Sequence, residues 1–264
     1  MGTALVTGAS SGIGKELARC FAAGGHDVVL VARRLPLLEA LASELSARHG
    51  KKMWPIACDL STPDAVRSLL GDLSTRGLEI DFLVNNAGFG TTGLFAHSPL
   101  ERELRMAEVN VTTVVHLTRA LLPGMLARRR GRILNVGSTA GFQPGPYMAT
   151  YYASKAFVNH FSEALFEELR GTGVTVTVSC PGPTQTEFGE LSGVGKANLF
   201  RRMPVANAER VAREAYEALF AGRALVVHGF LNRVGVVAIR FGWRSLVRRI
   251  IGFLNRPPEL HGST

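Results

Sequence analysis

Three cysteines in 264 residues, Cys20, Cys58 and Cys180, are odd in number and widely spaced. They exclude a disulfide framework, show no metal-ligand spacing, and point to a reducing, cytosolic compartment. Long apolar runs are also missing. The longest stretch, 225–239, is interrupted by His228, Asn232 and Arg233, short of the ~18 to 20 apolar residues a spanning helix needs. The apolar stretch after Met1 ends at Gly8 and is too short for the core of a signal peptide. Acid is scarce at one end of the chain: residues 223–264 hold seven arginines and a single acid, Glu259, against a formal net charge of +9 for the whole. The positive excess is therefore concentrated in the tail. Spread evenly it would suggest a polyanionic partner, but the one central basic cluster, Arg128-Arg129-Arg130, has no interleaved aromatics, which argues against nucleic acid.

What is present is a chain with 46% hydrophobic and 19% charged side chains, enough for one large core and no long disordered segment. Short β-branched runs at 4–7, 27–32, 53–57, 82–85, 132–136, 174–180 and 224–227 alternate with helix-length stretches. In the stretch 35–49, Leu37, Leu38, Leu41 and Leu45 recur at helical steps. Repeated strand and helix predict an α/β fold, a Rossmann-type doubly wound parallel sheet of seven strands with helices on both faces, over residues 1–228. Two regions depart from the alternation. Residues 181–204 hold four glycines and three prolines without a period, as expected of a substrate loop or flap. Residues 229–264 form a separate basic extension, read over 230–256 as a helical hairpin or an amphipathic helix. Arg233, Arg240, Arg244 and Arg248 fall in a narrow arc at about 100° per residue.

Directly after the first strand comes Thr7-Gly8-Ala9-Ser10-Ser11-Gly12-Ile13-Gly14, which opens a helix. That order of strand, glycines and helix is what a dinucleotide pyrophosphate requires. Gly8 allows the tight turn, Gly12 lets backbone approach the anion, and Gly14 lets helix and sheet pack closely. The second strand ends in Ala32-Arg33-Arg34. An acid for the ribose 2′-hydroxyl is absent and two guanidinium groups suited to a 2′-phosphate stand there instead, so NADP(H) is favoured over NAD(H). Ser10 either adds a hydroxyl at the adenosine end or serves the turn alone.

The glycine turn, Cys58-Asp59-Leu60, Asn85-Asn86-Ala87-Gly88, Asn110, Ser138, Tyr151-x-x-x-Lys155 and Pro181-Gly182 follow one another in an order that resembles the classical short-chain dehydrogenase/reductase family over residues 2 to about 227. The resemblance implies a catalytic set of Asn110, Ser138, Tyr151 and Lys155. It implies cofactor contacts from Gly8, Ser10, Ser11, Gly12, Ile13, Gly14, Arg33, Arg34, Asp59, Leu60, Asn86, Ala87, Gly88, Tyr151, Lys155, Pro181, Gly182, Thr184 and Thr186. Within these, Asp59 accepts from the adenine amino group, Asn110 holds a water behind the lysine, and Thr184 or Thr186 either binds the cofactor or closes a turn. The chemistry is coherent with this. Tyr151 and Lys155 share a helix face, and an ammonium about 4 Å from the phenol would draw its pKa down by roughly three units. Tyr152 has no lysine four residues on and is set aside.

Phe89, Phe142, Met148, Phe188, Leu199, Phe200 and Met203 are implied to surround the substrate, whose class is then a hydrophobic ketone or alcohol. The extension is either a cap over that pocket, a subunit contact, or a face lying on an anionic membrane. A homodimer through the long helices, including 151–170, is expected, and the extension puts a tetramer in doubt. A different class of function, a cofactor-binding sensor or scaffold without turnover, has no need of an intact proton relay.

Overall fold

The computed structural model describes residues 1–187 and 205–257. Among these, nine strands and nine α-helices follow one another as β1 (Thr3–Thr7), α1 (Gly12–Ala23), β2 (Asp27–Ala32), α2 (Leu35–His49), β3 (Met53–Ala57), α3 (Ala65–Thr75), β4 (Phe82–Asn85), α4 (Leu100–Ala107), α5 (Thr113–Ala127), β5 (Gly131–Val136), α6 (Ala149–Glu168), β6 (Val174–Cys180), β7 (Thr184–Gln185), β8 (Ala206–Asn207), α7 (Ala208–Phe220), β9 (Leu225–Val227), α8 (Phe230–Phe241) and α9 (Arg244–Asn255). Seven strands pair in the order β3-β2-β1-β4-β5-β6-β9, every pairing parallel. The predicted Rossmann-type sheet is the observed one, and strand order reverses between β1 and β4, where an open α/β sheet leaves its ligand crevice.

A parallel sheet must be covered on both sides, and the strands show it as unbroken burial: Val28 to Val31 are fully inaccessible. One core cluster packs Leu17, Phe21, Leu38, Leu41, Leu45 and Leu219 against one face of the sheet. A second packs Leu69, Leu73, Leu117, Met125 and Leu169 against the other. Helix α2 has the predicted bounds, but Leu37 is 42% exposed. It sits one residue, about 100° of helix, off the stripe of Leu38, Leu41 and Leu45 that faces the sheet.

The extension is a hairpin of two helices rather than one. Gly242 and Trp243 are extended between α8 and α9, so the expected arginine arc is split, with Arg233 and Arg240 on the first helix and Arg244 and Arg248 on the second. The flap has its two ends tied together: β7 and β8 pair in parallel, Thr184 with Ala206 and Gln185 with Asn207. The basic cluster is consumed locally. Arg128 donates to the Ile80 carbonyl at 3.0 Å and pairs with Glu79, Arg129 donates to the Gly171 carbonyl, and Arg130 pairs with Asp81 at 2.8 Å.

Candidate functional site

A cleft of about 990 Å³ runs along the C-terminal edge of the sheet, from Arg33 and Asp59 to Ser138, Tyr151 and Lys155. The glycine turn forms part of its wall. Gly8 has φ +68 and Gly12 φ +55, a left-handed backbone that glycine adopts at little cost. A Cβ on Gly14 would lie 2.3 Å from the Gly8 carbonyl oxygen, so helix α1 starts in direct contact with the strand before it. The first turn of α1 carries no acid, leaving the positive end of its dipole toward the cleft.

Several sequence-predicted contacts have other partners within the protein. Asn86 donates to the Thr7 carbonyl at 2.8 Å and stands where a Cβ on Gly8 or Gly14 would be, so its amide braces the glycine turn from β4. Asp59 accepts from the Ser61 amide and hydroxyl at 3.1 and 2.8 Å, and Leu60 is buried in the core beneath. Arg34 bridges Ser10 at 3.2 Å and Glu187 at 2.7 Å, fastening the start of the flap to the turn, whereas Arg33 is exposed at the cleft. The Thr184 hydroxyl donates to the Gly182 carbonyl and that of Thr186 to the Thr184 carbonyl. Turn chemistry thus occupies both threonines, and Thr186 lies over Gly12 where a Cβ would meet it at 2.9 Å. Ser11, Ile13, Ala87, Gly88, Pro181 and Gly182 line the cleft.

The catalytic candidates converge at its inner end. Ser138 follows β5 and is buried, its hydroxyl accepting from the Ala140 amide at 3.0 Å and donating to the Pro181 carbonyl at 3.4 Å. Burial pushes the Tyr151 phenol above its ordinary value, and a hydrogen bond with Ser138 works against that rise. Lys155 donates to the Val136 carbonyl at 2.8 Å with its ammonium 5.9 Å from the Tyr151 ring centre. Burial lowers Lys155 to about 8. In the protein alone desolvation is the largest influence on the phenol and holds it above its ordinary value.

Two asparagines hold the loops around this group. Asn110 lies in a single π turn, Glu108–Thr112, and pairs with both main-chain groups of Phe89, accepting from its amide at 3.2 Å and donating to its carbonyl at 3.0 Å. It also donates to Ser154 at 3.0 Å. Within the protein it is a clamp on the chain leaving β4, adjoining the lysine through Gly88. Asn159, which the sequence reading missed, does the same for Ser138: its amide donates to the Ser138 carbonyl at 3.0 Å while its oxygen accepts from the Ser138 amide at 3.4 Å. The only sequence signal for it is its place four residues beyond Lys155, one helical turn along the same face.

Phe89 and Met148 line the cleft, whereas Phe142 packs into a core cluster with Val114 and Val158. Phe188, Leu199, Phe200 and Met203 lie outside the described residues. The C-terminal hairpin takes the cap position that was one of its expected roles: Leu231, Val236, Ile239, Ile251 and Leu254 face the cleft. Asn232 approaches Gly182 so closely that a Cβ there would meet it at 2.4 Å. Arg105 of α4 also enters, close enough to Asp59 to help hold its carboxylate ionised.

Compared with known proteins, residues 2–194 match the family described as short chain dehydrogenase. A short chain dehydrogenase of Pseudocercospora fijiensis is 38% identical over 189 residues, 71% of this chain but 61% of that protein, so the match spans less than two thirds of that relative. An NADP-dependent 3-hydroxy acid dehydrogenase of Salmonella typhi is 35% identical over 244 residues, 92% of this chain and 97% of that one. Among solved structures, a short-chain dehydrogenase from Sphingobium yanoikuyae in complex with NADPH superposes with a TM-score of 0.81 at 31% identity, covering 94% of this chain and 97% of that one.

Proposed function

This chain belongs to the short-chain dehydrogenase family, and from that premise we propose that it is an NADP(H)-dependent oxidoreductase acting on a hydrophobic ketone or secondary alcohol. The observation that carries the proposal is the contact of the Ser138 hydroxyl with the Tyr151 phenol at the cleft's inner end, with buried Lys155 beside the ring. The residues fit the cofactor. The glycine turn lines the cleft ahead of an α1 start that carries no acid, the setting for a pyrophosphate, and Arg33 is the exposed cation for a 2′-phosphate, with Arg34 second because Glu187 already engages it. When bound, NADPH supplies the hydride. Tyr151 donates the proton to the carbonyl oxygen, Ser138 donates a hydrogen bond to the same oxygen as negative charge develops, and Lys155 steadies the tyrosine and reaches the ribose. In the reverse direction Tyr151 accepts the alcohol proton. Met148, Val236, Ile239 and Ile251 give the substrate end its apolar wall. Unpaired cysteines accord with the cytoplasm, and the enzyme acts as a homodimer.

Loss of NADPH absorbance with a panel of hydrophobic ketones tests the reading. Tyr151→Phe lowers kcat by about 10²- to 10⁴-fold, the range of a lost general acid, with NADPH affinity retained. Arg33→Ala weakens NADPH relative to NADH by roughly 10- to 100-fold, the worth of one charge-assisted contact. No turnover by the wild type across the panel overturns the assignment.

A further inference from the structure

Helices α8 and α9 have two different faces. Their inner residues, Val236, Ile239, Ile251 and Leu254, line the cleft. The outer face of α8 carries Phe230, Val234, Val237 and Phe241 at steps of four, three and four, a single stripe along the helix. All four are exposed, Phe241 by 85%, and Trp243 at the joint by 82%. On α9, Leu246 and Ile250 are also at least half exposed. A soluble face of this length ordinarily keeps its large apolar groups apart, and a contiguous patch marks a contact surface.

The charge beside the stripe selects the partner. Arg240, Arg244, Arg248 and Arg249 are exposed on the same hairpin, and none of them makes an ion pair among the described residues. The two helices contain no acid at all. A second copy docking on this face would bring arginines against arginines with no carboxylate to offset them. A nucleic acid would satisfy the arginines and stack on Phe230, Phe241 and Trp243, but it has no apolar counterpart for Val234, Val237, Leu246 and Ile250, which together with them are exposed. An anionic bilayer satisfies both halves, taking the apolar stripe at the acyl boundary and the guanidinium groups at the headgroups. Neither helix of twelve residues spans a membrane, so the contact lies in the interface plane.

We infer that the α8–α9 hairpin is a docking surface for an anionic lipid bilayer, with Phe241 and Trp243 as its inserted aromatic groups. Unlike the catalytic proposal, it can be read without turnover. The full-length protein is floated with vesicles of phosphatidylcholine alone and of phosphatidylcholine with phosphatidylglycerol, and Trp243 emission is followed in a Trp54→Phe background. Binding to the anionic vesicles, with a blue shift of Trp243 and partial release by salt, is the expected result. Phe241→Asp with Trp243→Asp lowers partitioning at least about tenfold, the equivalent of one buried aromatic side chain. Arg244→Glu with Arg248→Glu removes the preference for anionic lipid. Both double variants keep wild-type NADPH affinity and circular dichroism. Absence of wild-type binding to either vesicle overturns the inference, as does binding unchanged by the aspartates. Self-association in solution that the aspartates abolish, without vesicle binding, assigns the face to a second copy and equally overturns it.

Discussion

Lys155 carries the conflict between stability and chemistry most plainly. Its ammonium is buried, its value lowered to about 8 from an ordinary 10.5 by desolvation. Between those two values an unfolded chain binds a proton that the folded one does not, so this group makes stability rise with pH across that window and is a net cost below it. Lys155→Met therefore abolishes turnover yet raises the melting temperature at pH 7 by about 2 to 4 °C; a fall on a thermal scan would mean that its bond to the Val136 carbonyl outweighs the desolvation. The raised phenol of Tyr151 acts on the rate instead. Reduction needs the protonated form, which burial favours, so kcat/KM for reduction holds from about pH 6 to 9 while that for oxidation climbs. Asn159 makes a separate case. Replacing it by leucine leaves the Ser138 amide and carbonyl unpaired, which costs about 1 to 3 kcal/mol and lets the serine drift. A drop in kcat of about 10- to 100-fold is expected with KM for NADPH nearly unchanged, measured by steady-state kinetics; a matching loss in both would show a general unfolding effect.

Among the elements, strands and glycine turn were legible because their signals are local: β-branched runs set off by glycines, and a fixed spacing read within eight residues. The hairpin's inner face was not, because which side of an amphipathic helix faces a cleft depends on contacts more than a hundred residues away. Tyr152 shows why. It lacks the lysine that marks its neighbour, and nothing nearby hints that its hydroxyl donates to Asn255 at 3.1 Å, or that Asn255 in turn donates to the Pro146 carbonyl at 3.2 Å. This clip fastens α9 to the helix that carries Tyr151. Similarly, Ser179, His228 and Glu214 form a chain of 2.8 and 2.7 Å contacts with the connectivity of a nucleophile relay, but Ser179 is fully inaccessible. The chain staples β6 and α7 through the residue after β9. Distant contacts, not residue types, decide both cases. Tyr152→Phe removes one buried hydrogen bond and strands the Asn255 oxygen, at a cost of roughly 1 to 3 kcal/mol. Because α9 walls the substrate end, KM for a bulky ketone rises several-fold while NADPH affinity is kept; titration calorimetry for NADPH beside ketone kinetics separates the two.

At the scale of the whole molecule, two exposed apolar regions among the described residues call for different partners. Beyond the hairpin, α4 and α6 pack together and expose Leu100 and Leu104, by 62% and 60%, and Phe157, whose ring stacks on Phe161 at 5.5 Å. Here the charge argument reverses. Unlike the hairpin, α4 carries both signs of charge, Glu101 and Glu103 beside Arg102 and Arg105, so a two-fold contact here would not set arginine against arginine alone. The helices involved also carry the site, since α6 holds Tyr151, Lys155 and Asn159. A dimer formed there would bury the outer side of the helix whose inner side brings Tyr151 and Lys155 to the cleft. Light scattering at micromolar concentration is expected to give a mass of two chains, and Leu104→Glu with Phe157→Glu to give one, with turnover lowered as α6 loses its support. A wild-type monomer would assign these side chains to another contact. Retention of the dimer in the hairpin variant Phe241→Asp, Trp243→Asp follows from the same division of surfaces, because that change leaves α4 and α6 untouched.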